Sequence, residues 1–542
     1  MKFNKITLLL AIMIISILAV GAVSAESVDD ATISADDSDL TVATADSDIN
    51  DVSAADDAAD DAVGEDPVGE PKTINVNDEN YADYFDENGI LDTVSDNDII
   101  VVGTLSEKNL NVNKPVTITG NGEGILVNST ITLNGDASNS IITGLTFDNF
   151  NKNAIVIGDG IDNVKIEDNQ ITVDTDTSED SVSGISIVGY SKNIAIYNNL
   201  IDMNGDADYL YGIVAMAYPN GHYSEANSVV EIKNNNIAVT GSNTVEAMYL
   251  SNIENSEIDN NIVVVSSSGS SDAYGIQIAD MSYWASMSTY EPSPFRPPNN
   301  INITNNQFAV KGKNMVYGIT VISTAMMDMD SDTAISYPES EIIISNNIVD
   351  VESDGGVVAI GGQSLTQSKI TDNNITANGG SIDGITTVDT FGVHNTAILL
   401  IDDTGSSYAS GKECENVEIT GNLFFDSSIT SIEVETPESA TVENNLVISE
   451  NGAIIVNDDT YQYLFDEEGN FVYETEDGTT ILVDVLTNKN MIFAQPLNIK
   501  SKDDSSVITN GTITLTADAS DSNVTGLKIV LDNVPAATSP YS

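Results

Sequence analysis

The sequence predicts an all-β chain folded as a right-handed parallel β-helix, a solenoid of short stacked strands. Two recurring landmarks point to this fold: an asparagine motif, and a Gly-Ile motif between its copies. Runs such as I-x-I and I-x-V have the two-residue period of strands, and no helical apolar stripe follows the N-terminal segment. Self-similarity over roughly 20–50 residues is typical of solenoids and propellers. The hairpin signals that a propeller needs are missing, which leaves the β-helix.

The asparagine motif has apolar residues on alternate positions, then a small polar residue or Asn, and then an anchoring Asn. One copy is INITNNQFAV, from Ile301 to Val310. Asn tolerates the left-handed backbone of a tight corner. We expect the stacked anchoring side chains to hydrogen-bond to one another as a ladder, which would satisfy buried polar groups. The anchoring residues are Asn169, Asn199, Asn235, Asn261, Asn306, Asn347, Asn373, Asn422 and Asn445.

The Gly-Ile motif predicts a second strand in each coil, and Ala247 takes the place of its glycine in EAMYL. The glycines are Gly184, Gly212, Gly275, Gly318 and Gly384. The distance from an anchoring Asn to the next glycine is nearly constant, whereas the distance from the glycine to the next Asn varies widely. Because length variation in a solenoid falls in loops, we expect the long loops to leave one corner, after the Gly-Ile strand. The loops of successive coils would then lie side by side and form one continuous surface.

The N-terminal segment predicts secretion. Lys2 and Lys5 precede the apolar run ITLLLAIMIISILAV and the small residues VSA, which predicts a signal peptide over 1–25. An uncleaved membrane anchor is the alternative, but the run is short for a membrane span. Residues 26–72 are rich in Asp, Ala and Ser, which predicts a disordered linker. The mature protein is therefore expected outside the cell or at its surface, with no transmembrane segment after cleavage.

The rest of the chain contains two segments that begin alike. TINVNDENYADYFDENG, from Thr73, has a counterpart in AIIVNDDTYQYLFDEEG, from Ala453. Solenoids need atypical end coils that shield the core. We therefore predict a β-helix over 73–450 with an N-terminal cap at about 73–147. Residues 451–542 are predicted to start a second β-helix or to form a shortened cap.

The charge balance excludes one class of partner. The formal net charge is −66, from 84 acidic and 18 basic residues. Nucleic acid is therefore not an expected partner, because its binding relies on Lys and Arg. Cys414 is the only cysteine, so no intrachain disulfide can form.

The sequence offers no catalytic residue. Arg296 is an isolated basic residue in a Pro-rich loop, and His222 and His394 lack the neighbours that β-helix hydrolases place around histidine. Asp402 and Asp403 are adjacent acids, and in so acidic a chain such a pair is expected by chance. A carboxylate pair assembled across coils, with the spacing that glycoside hydrolysis requires, stays open.

Two loops carry candidate binding groups. Asp328, Asp330 and Asp332 form a weak calcium pattern, since oxygen-rich clusters suit this ion. The prediction is therefore no cofactor, with structural calcium left open. Aromatic side chains in polar loops suit ligand contact, although packing against the β-helix is the alternative. The candidates are Tyr209, Tyr211, Tyr218, Tyr223, Tyr283, Trp284, Tyr290 and Phe295.

With its signal segment, acidic linker, asparagine motifs and repeated module starts, the chain resembles the archaeal adhesin-like surface proteins of methanogens, which are secreted and contain right-handed β-helix repeats. The resemblance implies a cell-surface, non-enzymatic protein that binds glycan or another component of a cell or matrix. The alternatives are a secreted polysaccharide lyase or glycoside hydrolase and a structural envelope spacer.

Overall fold

The chain folds as a parallel β-helix, which confirms the predicted fold class. The computed structural model describes residues 70–531 except 151, 176–179, 217–226, 280–297, 324–326, 329–332, 335–338, 388, 404–412, 426–429, 450, 459 and 474. The predicted signal peptide and nearly all of the predicted linker lie outside these residues. In the described part of the chain, no helix has the length and apolar character that a membrane crossing requires.

Successive coils contribute parallel strands to three walls. Wall 1 contains Thr73–Val76, Ile99–Val102, Val164–Glu167, Lys192–Tyr197, Asn227–Lys233, Ile253–Asp259, Asn299–Thr304, Ile342–Ser345, Lys369–Thr371, Val417–Thr420 and Ala440–Glu443. Wall 2 contains Thr104–Ser106, Gln170–Thr175, Leu200–Gly205, Asn236–Gly241, Ile262–Ser267, Gln307–Gly312, Ile348–Ser353, Asn374–Gly379, Leu423–Phe425 and Leu446–Ile448. Wall 3 contains Leu110–Val112, Ile131–Leu133, Asn153–Ile157, Ser181–Val188, Tyr209–Met216, Thr244–Ser251, Ala273–Ala279, Val316–Ile322, Val357–Gln363, Asn395–Ile401 and Thr430–Val434.

Walls 1 and 2 are continuous near the N-terminus. Thr117–Val127 and Ile141–Asp148 run through the corner and belong to both walls. Wall 3 is a separate sheet of 11 strands. Inward-facing Ile, Val and Leu side chains of the three walls form one continuous buried cluster along the coils. Alternate residues point outward, so each wall also has an outer face.

The corner between walls 1 and 2 holds the anchoring asparagines. Each of the nine is buried, and each of the first eight donates a side-chain hydrogen bond from Nδ2 to Oδ1 of the next, at 2.9–3.0 Å. Each Nδ2 also donates to the carbonyl of an isoleucine in an adjacent coil, as Asn306 does to Ile258 at 2.9 Å. The asparagines therefore form a ladder that hydrogen-bonds polar groups inside the rod.

The residue before each anchoring Asn turns the corner. These residues have φ between 55° and 72°, in the left-handed region: Asp168, Asn198, Asn234, Asn260, Asn305, Asn346, Asp372, Gly421 and Asn444. Asn, Asp and Gly are the residue types that adopt this region most readily. The Asn pairs of the sequence thus divide into one residue that bends the chain and one that fills the interior.

Wall 3 has an inward row of small residues where the Gly-Ile motif predicted strands. A Cβ on Gly318 would lie 2.4 Å from the Ala359 carbonyl oxygen, and one on Gly275 would lie 2.4 Å from the Gly318 oxygen. The row needs small residues because the backbones of neighbouring coils approach closely there. The strand predicted at Gly384 is wrong: Gly384 lies in a turn, at φ 80°, and the strand of that coil is Asn395–Ile401.

The segment 451–531 adds strands to the large sheet through the antiparallel pair of Ile448 with Ile454, and it contributes to a second buried cluster that also contains Leu446 and Ile448. The strands of this segment are Ile454–Val456, Thr479–Val483, Leu486–Thr487, Asn490–Phe493, Leu497–Ser501, Ile508–Thr509, Thr512–Leu515, Asn523–Thr525 and Ile529–Val530. The helical turns in the part of the chain that the structure describes are Tyr461–Leu464 and the 3₁₀ segments Tyr81–Asp83, Pro437–Ser439 and Ala517–Ala519. Two-residue antiparallel pairs in the same part are Phe85–Asp86 with Gly89–Ile90 and Met327–Asp328 with Thr333–Ala334.

The two segments that begin alike, from Thr73 and from Ala453, make the same contacts. Tyr81 stacks on Phe85 with ring centroids 5.3 Å apart, and Tyr461 stacks on Phe465 at 4.6 Å. A lysine Nζ lies over each tyrosine ring, 5.7 Å from the centroid of Tyr81 and 4.8 Å from that of Tyr461. The repeated sequence therefore folds into a repeated local structure.

Candidate functional site: a tyrosine and carboxyl face on wall 3

The outer face of wall 3 carries a row of large side chains in register. Tyr211 pairs with Glu246, Glu246 with Tyr274, and Tyr274 with Tyr317 on successive strands. Each lies at the position just before the small inward residue of its strand, so all four project from the same face. The rings of Tyr274 and Tyr317 stack with centroids 4.8 Å apart. We call these four residues, with Tyr209, Tyr249, Asp272 and Asp389, the tyrosine–carboxyl face.

One end of this face is open to solvent. Tyr209 is 49% exposed and stacks on the buried Tyr211 with ring centroids 6.3 Å apart. Tyr249, on the next strand, is half-buried, and its ring centroid lies 6.1 Å from that of Tyr211. Three aromatic rings thus form a platform across two neighbouring coils.

The other end is covered by residues 380–394, of which 388 is not described; we call this segment the strap. Phe391 is buried against Tyr317, with ring centroids 6.4 Å apart. It also lies over Gly361, where a Cβ would come within 3.0 Å of the Phe391 ring. The hydroxyl of Tyr317 donates to the Gly392 carbonyl at 3.1 Å. The strap therefore shields Tyr317 from solvent.

Two carboxyl groups hold the strap on the wall. Oδ2 of Asp389, in the strap, accepts from the Tyr274 hydroxyl at 3.1 Å and from Gln277 Nε2 at 3.0 Å. Asp272, next to wall 3, accepts from the Thr387 hydroxyl and from Asn314 Nδ2, both at 2.6 Å. Burial raises the pKa of Asp389 to about 6 and also raises the pKa of Asp272.

Glu246 is the third carboxyl of the face, and it differs from the other two. It is 4% exposed, and among the described residues its Oε2 has no hydrogen-bond partner. Burial, and then the negative charges of Asp389 and Asp272, raise its pKa well above the ordinary value. A buried polar atom without a partner is costly, and native structures contain few of them. Glu246 is therefore the described group of this face that a ligand would satisfy.

The structure separates the residues that the sequence singled out as candidates. Tyr209 and Tyr211 belong to this face, but they lie in the strand Tyr209–Met216 and not in a loop. Asp328 lies in the two-residue strand Met327–Asp328. Among the described residues, no cluster of acids, His and Cys has the arrangement of a metal site. The candidates outside the described residues are Tyr218, Tyr223, Tyr283, Trp284, Tyr290, Phe295, Asp330 and Asp332.

The other sequence candidates have local partners. Asp402 accepts from the backbone N–H of Cys414 at 2.7 Å and from the Thr436 hydroxyl. Cys414 is buried, which raises its pKa to about 12, so its thiol is not an activated nucleophile. His394 Nδ1 lies 3.5 Å from a carboxylate oxygen of Glu433. These residues do not join the tyrosine–carboxyl face.

The sequence did not single out Glu246, Asp272 or Asp389. One signal was present for Glu246: it precedes Ala247 in EAMYL, where Tyr precedes Gly in YGIVA, YGIQI and YGITV. That position faces outward in every coil of the row. No comparable pattern marks Asp389, because its hydrogen bonds to Tyr274 and Gln277 join residues more than one hundred positions apart.

Comparison with solved structures finds other β-helix proteins. The chain is similar to the Dettilon tailspike protein, at 12% identity over 63% of this chain and 64% of that one, with a TM-score of 0.30. It is also similar to the catalytic domain of a GH87 alpha-1,3-glucanase, at 12% identity over 88% and 70%, with a TM-score of 0.31. The tailspike protein of E. coli bacteriophage HK620 matches at 12% identity over 86% and 71%, with a TM-score of 0.27.

The chain thus spans 64% of the length of the Dettilon tailspike. No protein-family model and no curated protein sequence matches it. At these identities the likeness concerns the fold alone, so the function has to be argued from the contacts of the face.

Proposed function

We propose that this chain is a secreted, adhesin-like β-helix protein that binds glycan on the tyrosine–carboxyl face and does not cleave it. The observation that carries the proposal is the open end, where the exposed Tyr209 and the half-buried Tyr249 lie on the same face as a buried carboxyl oxygen that has no partner among the described residues. Aromatic rings supply large apolar contact area at small cost in side-chain entropy, and a carboxyl group hydrogen-bonds to hydroxyls. Both are groups that a sugar ring can use.

The spread of the platform over two neighbouring coils supports an extended ligand, with Tyr249 tilted by 44° to Tyr211. Tyr209 and Tyr211 are nearly parallel, with an angle of 6° between their planes. They lie on a wall of rigid strands that fixes their positions, as a binding site requires. A glycan chain lying across neighbouring coils would contact Tyr209 and Tyr249 and approach Glu246 at the foot of the platform.

The test is a binding screen of the purified protein on a glycan array, followed by titration of the retained glycans. We expect Tyr209→Ala and Tyr249→Ala to weaken binding by roughly fivefold or more, because truncating an aromatic contact at the centre of an interface costs more than about 1 kcal/mol. Tyr197→Ala is the matched control, since Tyr197 is a half-buried tyrosine on wall 1. Equal weakening by Tyr197→Ala, or retention of no glycan, would contradict the proposal.

A glycoside hydrolase is the second candidate, and the raised pKa values of Asp389 and Glu246 are the observation that favours it. Glycosidases use two carboxyl groups, one of them with a raised pKa as the general acid. The same purified protein is incubated with each retained glycan, and new reducing ends are measured. If new reducing ends are released by the unmodified protein but not by Glu246→Gln or Asp389→Asn, the hydrolase proposal replaces the binding proposal. Retention without release supports binding.

A further inference from the structure

We propose that the glycan bound at the open end carries a free amino group, and that its ammonium lies beside the Glu246 carboxyl and the rings of Tyr211 and Tyr249. This inference rests on the proposed glycan binding and names the chemical class of the ligand. A protonated amino sugar would supply the positive charge that the described part of the site does not contain.

The arrangement of rings and carboxyl is the first support. Glu246 pairs with Tyr211 on one side and with Tyr274 on the other, and Tyr249 lies on its own strand. Ammonium groups are attracted to the faces of aromatic rings, most strongly where the site is desolvated. Once Glu246 releases its proton to solvent, its buried carboxylate adds a charge-assisted hydrogen bond to the same cation.

The unpartnered oxygen is the second support. In the described chain, Oε2 of Glu246 is buried and accepts no hydrogen bond. The carboxyls of Asp272 and Asp389, by contrast, each accept from several donors of the strap and wall. An ammonium has three donors and no acceptor, so it fits a carboxyl oxygen that lacks a donor.

The sign of the local field is the third support. The charges that shift the pKa of Glu246 are those of Asp389 and Asp272, and both are negative. Among the described residues, the phenol of Tyr274 also interacts electrostatically with Glu246, and the phenols of Tyr211 and Tyr249 lie on the adjacent strand and on its own strand. A uronate would add a further negative charge to this cluster, and a neutral sugar would leave the repulsion unchanged. A cation binds more strongly as the carboxyls lose their protons.

The experiment compares two ligands that differ only in this group. Oligomers of glucosamine and of N-acetylglucosamine, matched in length, are titrated calorimetrically against the whole protein at about pH 6 and 0.15 M salt, where surface attractions are screened over about 8 Å. We expect the glucosamine oligomer to bind at least tenfold more tightly. Glu246→Gln should remove that preference, and Tyr249→Leu should reduce it while Tyr249→Phe preserves it, because phenylalanine keeps the ring.

The controls separate the site from general attraction to an acidic protein. Glu123→Gln removes the same charge at an exposed position outside the site, so an equal loss in that variant would overturn the inference. Equal binding of the two oligomers, or preference for the acetylated one, would overturn it too while leaving glycan binding intact. Failure of the protein to bind any glycan would instead reject the proposed function. If Glu246→Gln does not fold, as judged by circular dichroism, the Tyr249 pair decides.

Discussion

Asn305 and Asn306 are adjacent and chemically identical, yet the fold gives them different environments. Asn305 has φ 57° and is exposed, and its Nδ2 donates to an Asp259 carboxylate oxygen at 2.7 Å. Asn306 is fully buried, and its Oδ1 accepts from both the backbone N–H and the Nδ2 of Asn261 at 2.9 Å. The fold therefore requires Asn305 for its backbone conformation and Asn306 for its side-chain hydrogen bonds.

We expect Asn306→Ala to lower the free energy of unfolding by about 3 kcal/mol, because it leaves at least two buried groups without partners at roughly 1–3 kcal/mol each. Asn305→Gly is the matched control. It should cost less than about 1 kcal/mol, since glycine adopts a positive φ without strain. Repeat arrays can open locally, so hydrogen exchange over Asn299–Thr304 and Gln307–Gly312 should accompany chemical denaturation. Equal losses of unfolding free energy in the two variants would contradict this prediction, because the ladder residue would then contribute no more to stability than the corner residue.

At the scale of elements, the walls could be predicted from the sequence and the strap could not. The two-residue alternation and the Asn motifs predict the walls, because each coil repeats the same local chemistry. The sequence DGITT at Gly384 matches the Gly-Ile motif of the wall strands, but it lies in the strap. The wall strand of that coil is Asn395–Ile401. We predicted that all long loops follow the wall 3 strand, but the strap lies before the wall 3 strand of its coil. Its docking depends on contacts such as that of Phe391 with Gly361, which only the coiled fold brings together.

The strap is expected to loosen as the pH rises. The pKa of Asp389 in the docked strap is about 6, above the usual carboxyl value near 4, so the docked state binds the proton more tightly than the undocked state. The stabilisation from Asp389 is fully present below about pH 4 and is lost as the pH rises to about 6. Asp272 and Glu246, whose pKa values are also raised, act in the same direction. Hydrogen-exchange protection of the strap, corrected for the intrinsic rate, should decrease over that range.

Two substitutions test the origin of this pH dependence. Asp389→Asn removes the titrating group at the centre of the docked strap, so the change in protection with pH should become smaller. Asp383→Asn alters an exposed carboxyl of the same strap and should leave the change as it is in the unmodified protein. A pH dependence that persists unaltered in Asp389→Asn would assign it to Asp272 and Glu246 instead.

For the whole molecule, the repeats allow the β-helix to be predicted from the sequence, but they give no indication of the candidate site. The ladder asparagines recur from coil to coil and can be recognised from their local motif, whereas Glu246, Asp272 and Asp389 belong to no repeated motif and come together only after folding. The opening motif at Thr73 recurs at Ala453, and both copies stack a tyrosine on a phenylalanine beneath a lysine. The net charge of −66 belongs to this scale as well, because its effect depends on the summed field and not on any pair.

The last prediction concerns that field. Self-repulsion among excess carboxylates destabilises the compact chain, and salt screens it, since the Debye length shortens from about 30 Å at 0.01 M to about 10 Å at 0.1 M. We expect the thermal unfolding midpoint to rise by a few degrees over this range of sodium chloride. Calcium chloride and magnesium chloride at equal ionic strength distinguish screening from a specific site, such as the one predicted at Asp328, Asp330 and Asp332. A larger rise with calcium than with magnesium would establish a calcium site, because calcium accepts the flexible oxygen ligands that magnesium rejects. Equal rises would leave screening as the whole effect, and no rise with any of the three salts would show that self-repulsion does not limit stability.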